Sequence, residues 1–137
     1  MARLNAHEAL IYLMVITSAS DRDMTDSELA RIGSVVETWP IFVDFDPDHL
    51  VKVAQKCQKR LQGDDGLEAV LLDAGAAIPA HLHDTAYAAA FEVASADMEM
   101  RLEEVRVLQL LRRHLKVDAS TIAAIERATK ARHRALA

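Results

Sequence analysis

Two stretches of this chain repeat one another 76 residues apart, and no other feature of the sequence restricts the fold as tightly. Residues 18–32 read SASDRDMTDSELARI and residues 94–108 read ASADMEMRLEEVRVL. In that register Asp21 falls on Asp97, Asp23 on Glu99, Met24 on Met100 and Glu28 on Glu104. Leu29 then matches Val105, Ile32 matches Leu108, and upstream His7-Glu8 matches His83-Asp84. The same unit, an acidic turn between two apolar helical segments, is therefore written twice. Two such units predict helix–turn–helix pairs packed about a pseudo-twofold axis.

The 137 residues suffice for one domain spanning 1–137 with a core of its own. Apolar residues make up 51% of the chain and aromatics only 4%, so alanine, leucine and valine must fill the interior, as in a helix bundle. A single cysteine, Cys57, excludes an intramolecular disulfide framework and fits a reducing, cytoplasmic setting. The net charge of −5 is unevenly spread: residues 1–50 carry nine acids and three bases, residues 106–137 two acids and eight bases. That balance argues against nucleic acid as a partner. No run reaches the roughly 18 apolar residues of a membrane span. Arg3, the run ALIYLMVI and the small residues 18–20 have the outline of a signal peptide, but His7-Glu8 interrupts its entry and residues 83–96 mirror the whole segment. A buried first helix is the preferred reading.

Apolar spacing predicts seven helices and no strand. The first covers residues 4–19, with Ala6, Leu10, Leu13, Met14 and Thr17 on one face. Thr25 and Glu28 form a capping box for the second, which carries Leu29, Ile32 and Val36 and ends near Glu37 before Trp39-Pro40. After an apolar connector at 42–45, Asp46-Pro47 signals the third helix, with Leu50, Ala54, Cys57 and Leu61 inward. Residues 63–66 break it. A short fourth helix bears Leu67, Val70, Leu71 and Ala74 and is expected to stop at Gly75 and Pro79. The fifth spans 80–96 with Tyr87, Ala90, Phe91 and Ala94, and the sixth 101–115 with Val105, Leu108, Leu111 and Leu115. Asp118 caps the seventh, which carries Ile122, Ile125 and Ala128.

The acidic turns are the chemical candidates. Asp21 and Glu28, and again Asp97 and Glu104, stand seven residues apart across a turn and the first turn of a helix, with Asp23 and Glu99 between them. Such oxygen-rich sets suit hard divalent cations. An EF-hand is excluded, because its central glycine and twelve-residue length are missing. Glu28 is accounted for by its capping box, whereas Arg101 occupies the equivalent cap position before Glu104. Asp21 and Asp97 sit near helix C-termini, where the macrodipole disfavours an anion, so a cation or an arginine such as Arg22, Arg101 or Arg106 is the natural partner. Met24 and Met100 read as core plugs at the base of each turn.

Other candidates are weaker. His81, His83 and Asp84 cluster at the start of the fifth helix and offer two nitrogens to zinc, with no cysteine pair or HExxH motif beside them; exposed first-turn residues are the plainer reading. His7 echoes His83. Cys57 lies on an apolar stripe and reads as a buried small side chain. The basic tail (Arg127, Lys130, Arg132, His133, Arg134) reads first as a solvated face, with acidic proteins or an anionic membrane surface as the partners its charge would suit.

HEALIYLMVITSASDRDMTDSELARI, GLEAVL, TAYAAAFEVASAD, EEVRVLQLLRRHL and AIERATKARH together resemble the TerB (tellurite resistance) family over essentially the whole chain. The paired acidic turns are the most specific part of the likeness. The resemblance implies an all-α fold of about seven helices and a bacterial role in tellurite resistance and wider chemical or metal stress. It further implies a metal site at Asp21, Glu28, Asp97 and Glu104, and no inherited catalytic activity. TerB-like domains also occur in DnaJ-like co-chaperones. The second turn departs from the pattern, with Met98 and Glu99 where a glycine often stands. The expectation is a non-enzymatic cytoplasmic stress-response protein that holds Ca²⁺, Mg²⁺, Mn²⁺ or Zn²⁺ at its acidic turns. The alternative is a metal-independent module that docks protein partners on its acidic face.

Overall fold

The computed structural model describes residues 4–19, 24–63, 66–95 and 102–136. Among them are seven α-helices and no strand, the all-α architecture expected. No described helix is long and apolar enough to cross a membrane.

Helix α1 (Ala6–Ala19) starts on a reciprocal cap: Glu8 N donates to Asn5 Oδ1 at 2.8 Å and Asn5 N to Glu8 Oε1 at 3.1 Å. Every residue from Ala9 to Ser18 is buried. The expected single inward face therefore does not exist, and Ala6, assigned to it, is only half-buried. A helix that is apolar all round belongs inside the protein. Its last buried hydroxyls bond backward within the helix, Thr17 to Leu13 O and Ser18 to Met14 O, both at 2.7 Å. Burying Leu10, Ile11, Leu13, Met14, Val15 and Ile16 contributes on the order of 10 kcal/mol before chain entropy is counted.

Helix α2 (Asp26–Thr38) opens on the expected capping box, with Thr25 N donating to Glu28 Oε1 at 2.9 Å and Glu28 N to Thr25 Oγ1 at 3.2 Å. It ends at Trp39, extended before Pro40. Asp46-Pro47 starts a 3₁₀ turn, Pro47–His49, that runs into α3 (Leu50–Gln62). Helix α4 (Gly66–Ala77) begins at the left-handed Gly66, φ +72°. Gly75 does not stop α4, contrary to expectation. A Cβ there would lie 3.4 Å from the His114 carbonyl oxygen, so glycine serves the close approach of α4 to the end of α6. A 3₁₀ turn, Ala80–Leu82, leads into α5 (His83–Ser95), followed by α6 (Leu102–His114) and α7 (Ala119–Arg132). The buried stripe of α6 includes Val107, where Val105 was expected, and that of α7 includes Thr129, where the exposed Ala128 was expected.

Helix α1 packs on α5, while α2 and α6 each touch both. Helix α3 lies on α1 and α7 on α5. Exchanging α1–α3 with α5–α7 leaves this set of contacts unchanged, so the structural repeat is a three-helix unit, one helix longer than the repeat in the sequence. Helix α4 has no counterpart and packs on α1, α3 and α6.

A histidine fastens each unit. His7 Nε2 bonds Ile41 O at 2.8 Å, on the connector that leaves α2. His83 Nδ1 accepts from Lys116 N at 2.9 Å, on the connector that leaves α6. Since Nδ1 accepts, Nε2 carries the proton, and it faces Ile78 O at 2.9 Å and Gly75 O at 3.1 Å. His83 is thus buried and fully bonded, where an exposed first-turn residue was expected; His81 and Asp84 are exposed as expected. Replacing His83 by Ala orphans a backbone N–H and leaves a cavity, and should cost about 3 kcal/mol. His7→Ala, at a half-buried position beside Phe42 and Phe45, should cost about 1 kcal/mol. Urea midpoints at unchanged m-value would measure both, and equal losses would contradict this ranking.

Candidate functional site

Glu28 and Glu104 occupy the first turns of α2 and α6, at matching places in the two units. Both are buried, at 6% and 7% exposure, which decides that they are more than solvated surface acids. Their helix N-termini favour a carboxylate. Glu28 Oε1 also accepts from Thr25 Oγ1 at 3.1 Å. Asp21, Asp23, Asp97 and Glu99, the other residues of the sequence-derived set, lie outside the described residues, as do Arg22, Met100 and Arg101. Among the described residues no group of three or more His, Cys, Asp or Glu side chains is placed to hold a metal ion. Met24 is half-buried against the core, consistent with a plug. Ser95, the last residue of α5 before the second acidic stretch, has a buried hydroxyl. Among the described residues it is the one buried side-chain polar atom without a hydrogen-bond partner.

The zinc reading of His81 and His83 does not hold, because both ring nitrogens of His83 are engaged by backbone groups. Cys57 is a core thiol, as read from its stripe. Its S–H faces Tyr12 O at 3.8 Å, and burial pushes its pKa up to about 12, so no thiolate forms near neutrality.

A family model described as tellurite resistance protein TerB matches residues 7–128. The chain belongs to the TerB family. No curated protein and no solved structure matches it. The TerB match begins at His7, the first of the two fastening histidines, and contains both buried glutamates.

Also within the TerB match is a cluster that sequence reasoning missed. Tyr87 of α5 donates to Glu126 Oε2 of α7 at 2.6 Å, and Arg112 of α6 reaches both, with Nε 3.1 Å from Tyr87 Oη and a guanidinium nitrogen on Glu126. Three helices meet there. Burial, reinforced by the bond to Glu126, pushes the Tyr87 phenol up to about 12. The bond to Tyr87 in turn raises Arg112. A second latch joins Glu92 of α5 to Arg132 and His133, both at 2.6 Å and both beyond the TerB match. The sequence held one clue: Glu126 is the lone acid within a basic helix.

An acid whose pKa is raised on folding ionises first in the unfolded chain. Tyr87 therefore contributes stability that is complete below its ordinary value near 10 and lost as pH rises through about 12. In Tyr87→Phe, the fall in stability across that alkaline window should be shallower than in the parent. Identical slopes by denaturant unfolding would remove Tyr87 from the account.

Proposed function

We propose that this TerB-family protein acts without catalysis in a cytoplasmic response to tellurite and related chemical stress, by holding a divalent cation between its two acidic turns. The observation that carries this reading is the burial of Glu28 and Glu104 at equivalent positions in two copies of one unit. Each stands in the first turn of the helix that follows an acidic turn, and a repeat that places a buried carboxylate twice at that point suits a shared function for both turns. The donors proposed are Asp21, Glu28, Asp97 and Glu104, with Asp23 and Glu99 in support. They are all carboxylate oxygens, which favours Ca²⁺, Mg²⁺ or Mn²⁺ over Zn²⁺. The Ser95 hydroxyl supplies a further polar atom beside the second turn, one that a bound cation's water shell would satisfy. Tellurite is itself an anion and is poorly suited to such a surface, so protection works indirectly.

The test is a thermal melt in EDTA and then with each cation, on wild type and on Asp21→Asn/Asp97→Asn. Binding to the native state alone raises Tm once the ligand exceeds its Kd. A cation-specific rise that the double variant loses is expected. A flat response, with a more stable double variant, would instead assign the acidic turns to a protein partner.

Ser95→Ala separates the parts. In EDTA it should be neutral or stabilising by about 1 kcal/mol, since it removes an unsatisfied buried hydroxyl. With cation present the advantage should shrink. An equal change under both conditions would exclude Ser95 from the site.

A further inference from the structure

The outward face of α7 is basic and unpartnered. Arg127 and Lys130 share it with Ala123, Ala124 and Ala131, at helical spacings that place them side by side, and all five are exposed; Arg134, also exposed, follows just past the end of the helix. The other cations nearby are consumed internally, Arg112 by Glu126 and Arg132 by Glu92. Arg127, Lys130 and Arg134 make no ion pair among the described residues. The Glu92 latch holds the end of the helix down, so this face is presented in a fixed orientation, with Leu136 fully exposed just beyond it.

The matching surface is on the same chain. Residues 42–51, FVDFDPDHLV, contain three aspartates and no lysine or arginine. Asp44, Asp46 and Asp48 are all exposed, and Asp44 and Asp48 have no cationic partner among the described residues. The five exposed large hydrophobic residues of the described chain are Val43, Val51, Leu72, Leu102 and Leu136. Two of them bracket this acidic connector and a third ends the basic tail. Carboxylates flanked by valines on one surface, and cations flanked by alanines and a leucine on the other, are complementary in both charge and polarity.

We infer that α7 of one copy docks on the 42–51 connector of a second copy, giving head-to-tail self-association through two different faces. An anionic membrane fits less well, because the α7 face carries no aromatic anchor and the whole chain is net acidic, at −5. Contacts of this kind leave one free face at each end, so association is open-ended unless the rotation closes a ring. Exposed charge pairs are screened by salt, which sets the expected signature.

Sedimentation velocity of the full chain in EDTA, which keeps the experiment independent of any cation, tests this directly. The sedimentation coefficient should rise with concentration at low salt and return to that of one copy at high salt. Asp44→Asn/Asp48→Asn and Arg127→Glu/Lys130→Glu, each folded by circular dichroism, should each stay a single copy. Mixed one to one, they should form a two-copy species and nothing larger, because each variant keeps the face that the other has lost. A wild type that stays a single copy at low salt and high concentration would overturn the inference. So would association of the wild type that the mixture fails to reproduce, or a single-copy wild type that binds phosphatidylserine vesicles through Arg127 and Lys130.

Discussion

The packing of α1 against α5 is the contact on which the rest of the structure depends. Both helices are buried over most of their length, and every other α-helix touches at least one of them. The two bring different material to the contact. Helix α1 supplies large aliphatic side chains on all sides, whereas much of the buried surface of α5 is alanine, at Ala86, Ala89, Ala90 and Ala94. Small residues let helix axes approach, and the large ones opposite fill the space. Apart from the Ser95 hydroxyl at the end of α5, the buried polar groups of these helices are answered from within: Thr17 and Ser18 bond backward along α1, and His83 gathers backbone groups from two connectors at the start of α5.

From that pair the two units hang almost symmetrically, and their difference is informative. The third helix of the first unit, α3, buries Leu50, Val53, Ala54 and Cys57 and is flanked by α4. The third helix of the second, α7, buries only Thr129 completely and is secured to α5 and α6 by side-chain bonds centred on Glu92 and Glu126. The same position in the fold is thus held by full apolar burial in one unit, and in the other by the partial burial of Ile122 and Ile125 together with charge. That leaves α7 with an outward surface of unspent cations. The second helices, α2 and α6, are each wedged against both central helices, which is what withdraws Glu28 and Glu104 from water at matching places.

Much of this was legible in the chain. The capping box at Thr25 and Glu28, the stop at Trp39-Pro40 and the cap at Asp118 are local signals, and local signals survive folding. The 76-residue repeat showed the two helix–turn–helix pairs, although not that α3 and α7 complete them, since their sequences no longer match. What could not be read depended on contacts far along the chain. Gly75 looked like a helix stop because nothing nearby shows that His114 lies against it. His83 looked exposed because its partner, the Lys116 N–H, is 33 residues away. Tyr87, Arg112 and Glu126 come from three helices and share no motif. Of the acidic set, Glu28 and Glu104 were paired by the register of the repeat, and their burial follows from the wedge of α2 and α6 against the central pair.

Native-state hydrogen exchange tests the primacy of the α1–α5 pair most directly. Amides of residues 10–18 and 87–94 should exchange only through global unfolding, at the free energy measured by denaturant, while those of α7 open at lower free energy. Exchange of the α1 amides by a local opening easier than that of α7 would contradict this account, and would move the foundation of the fold elsewhere.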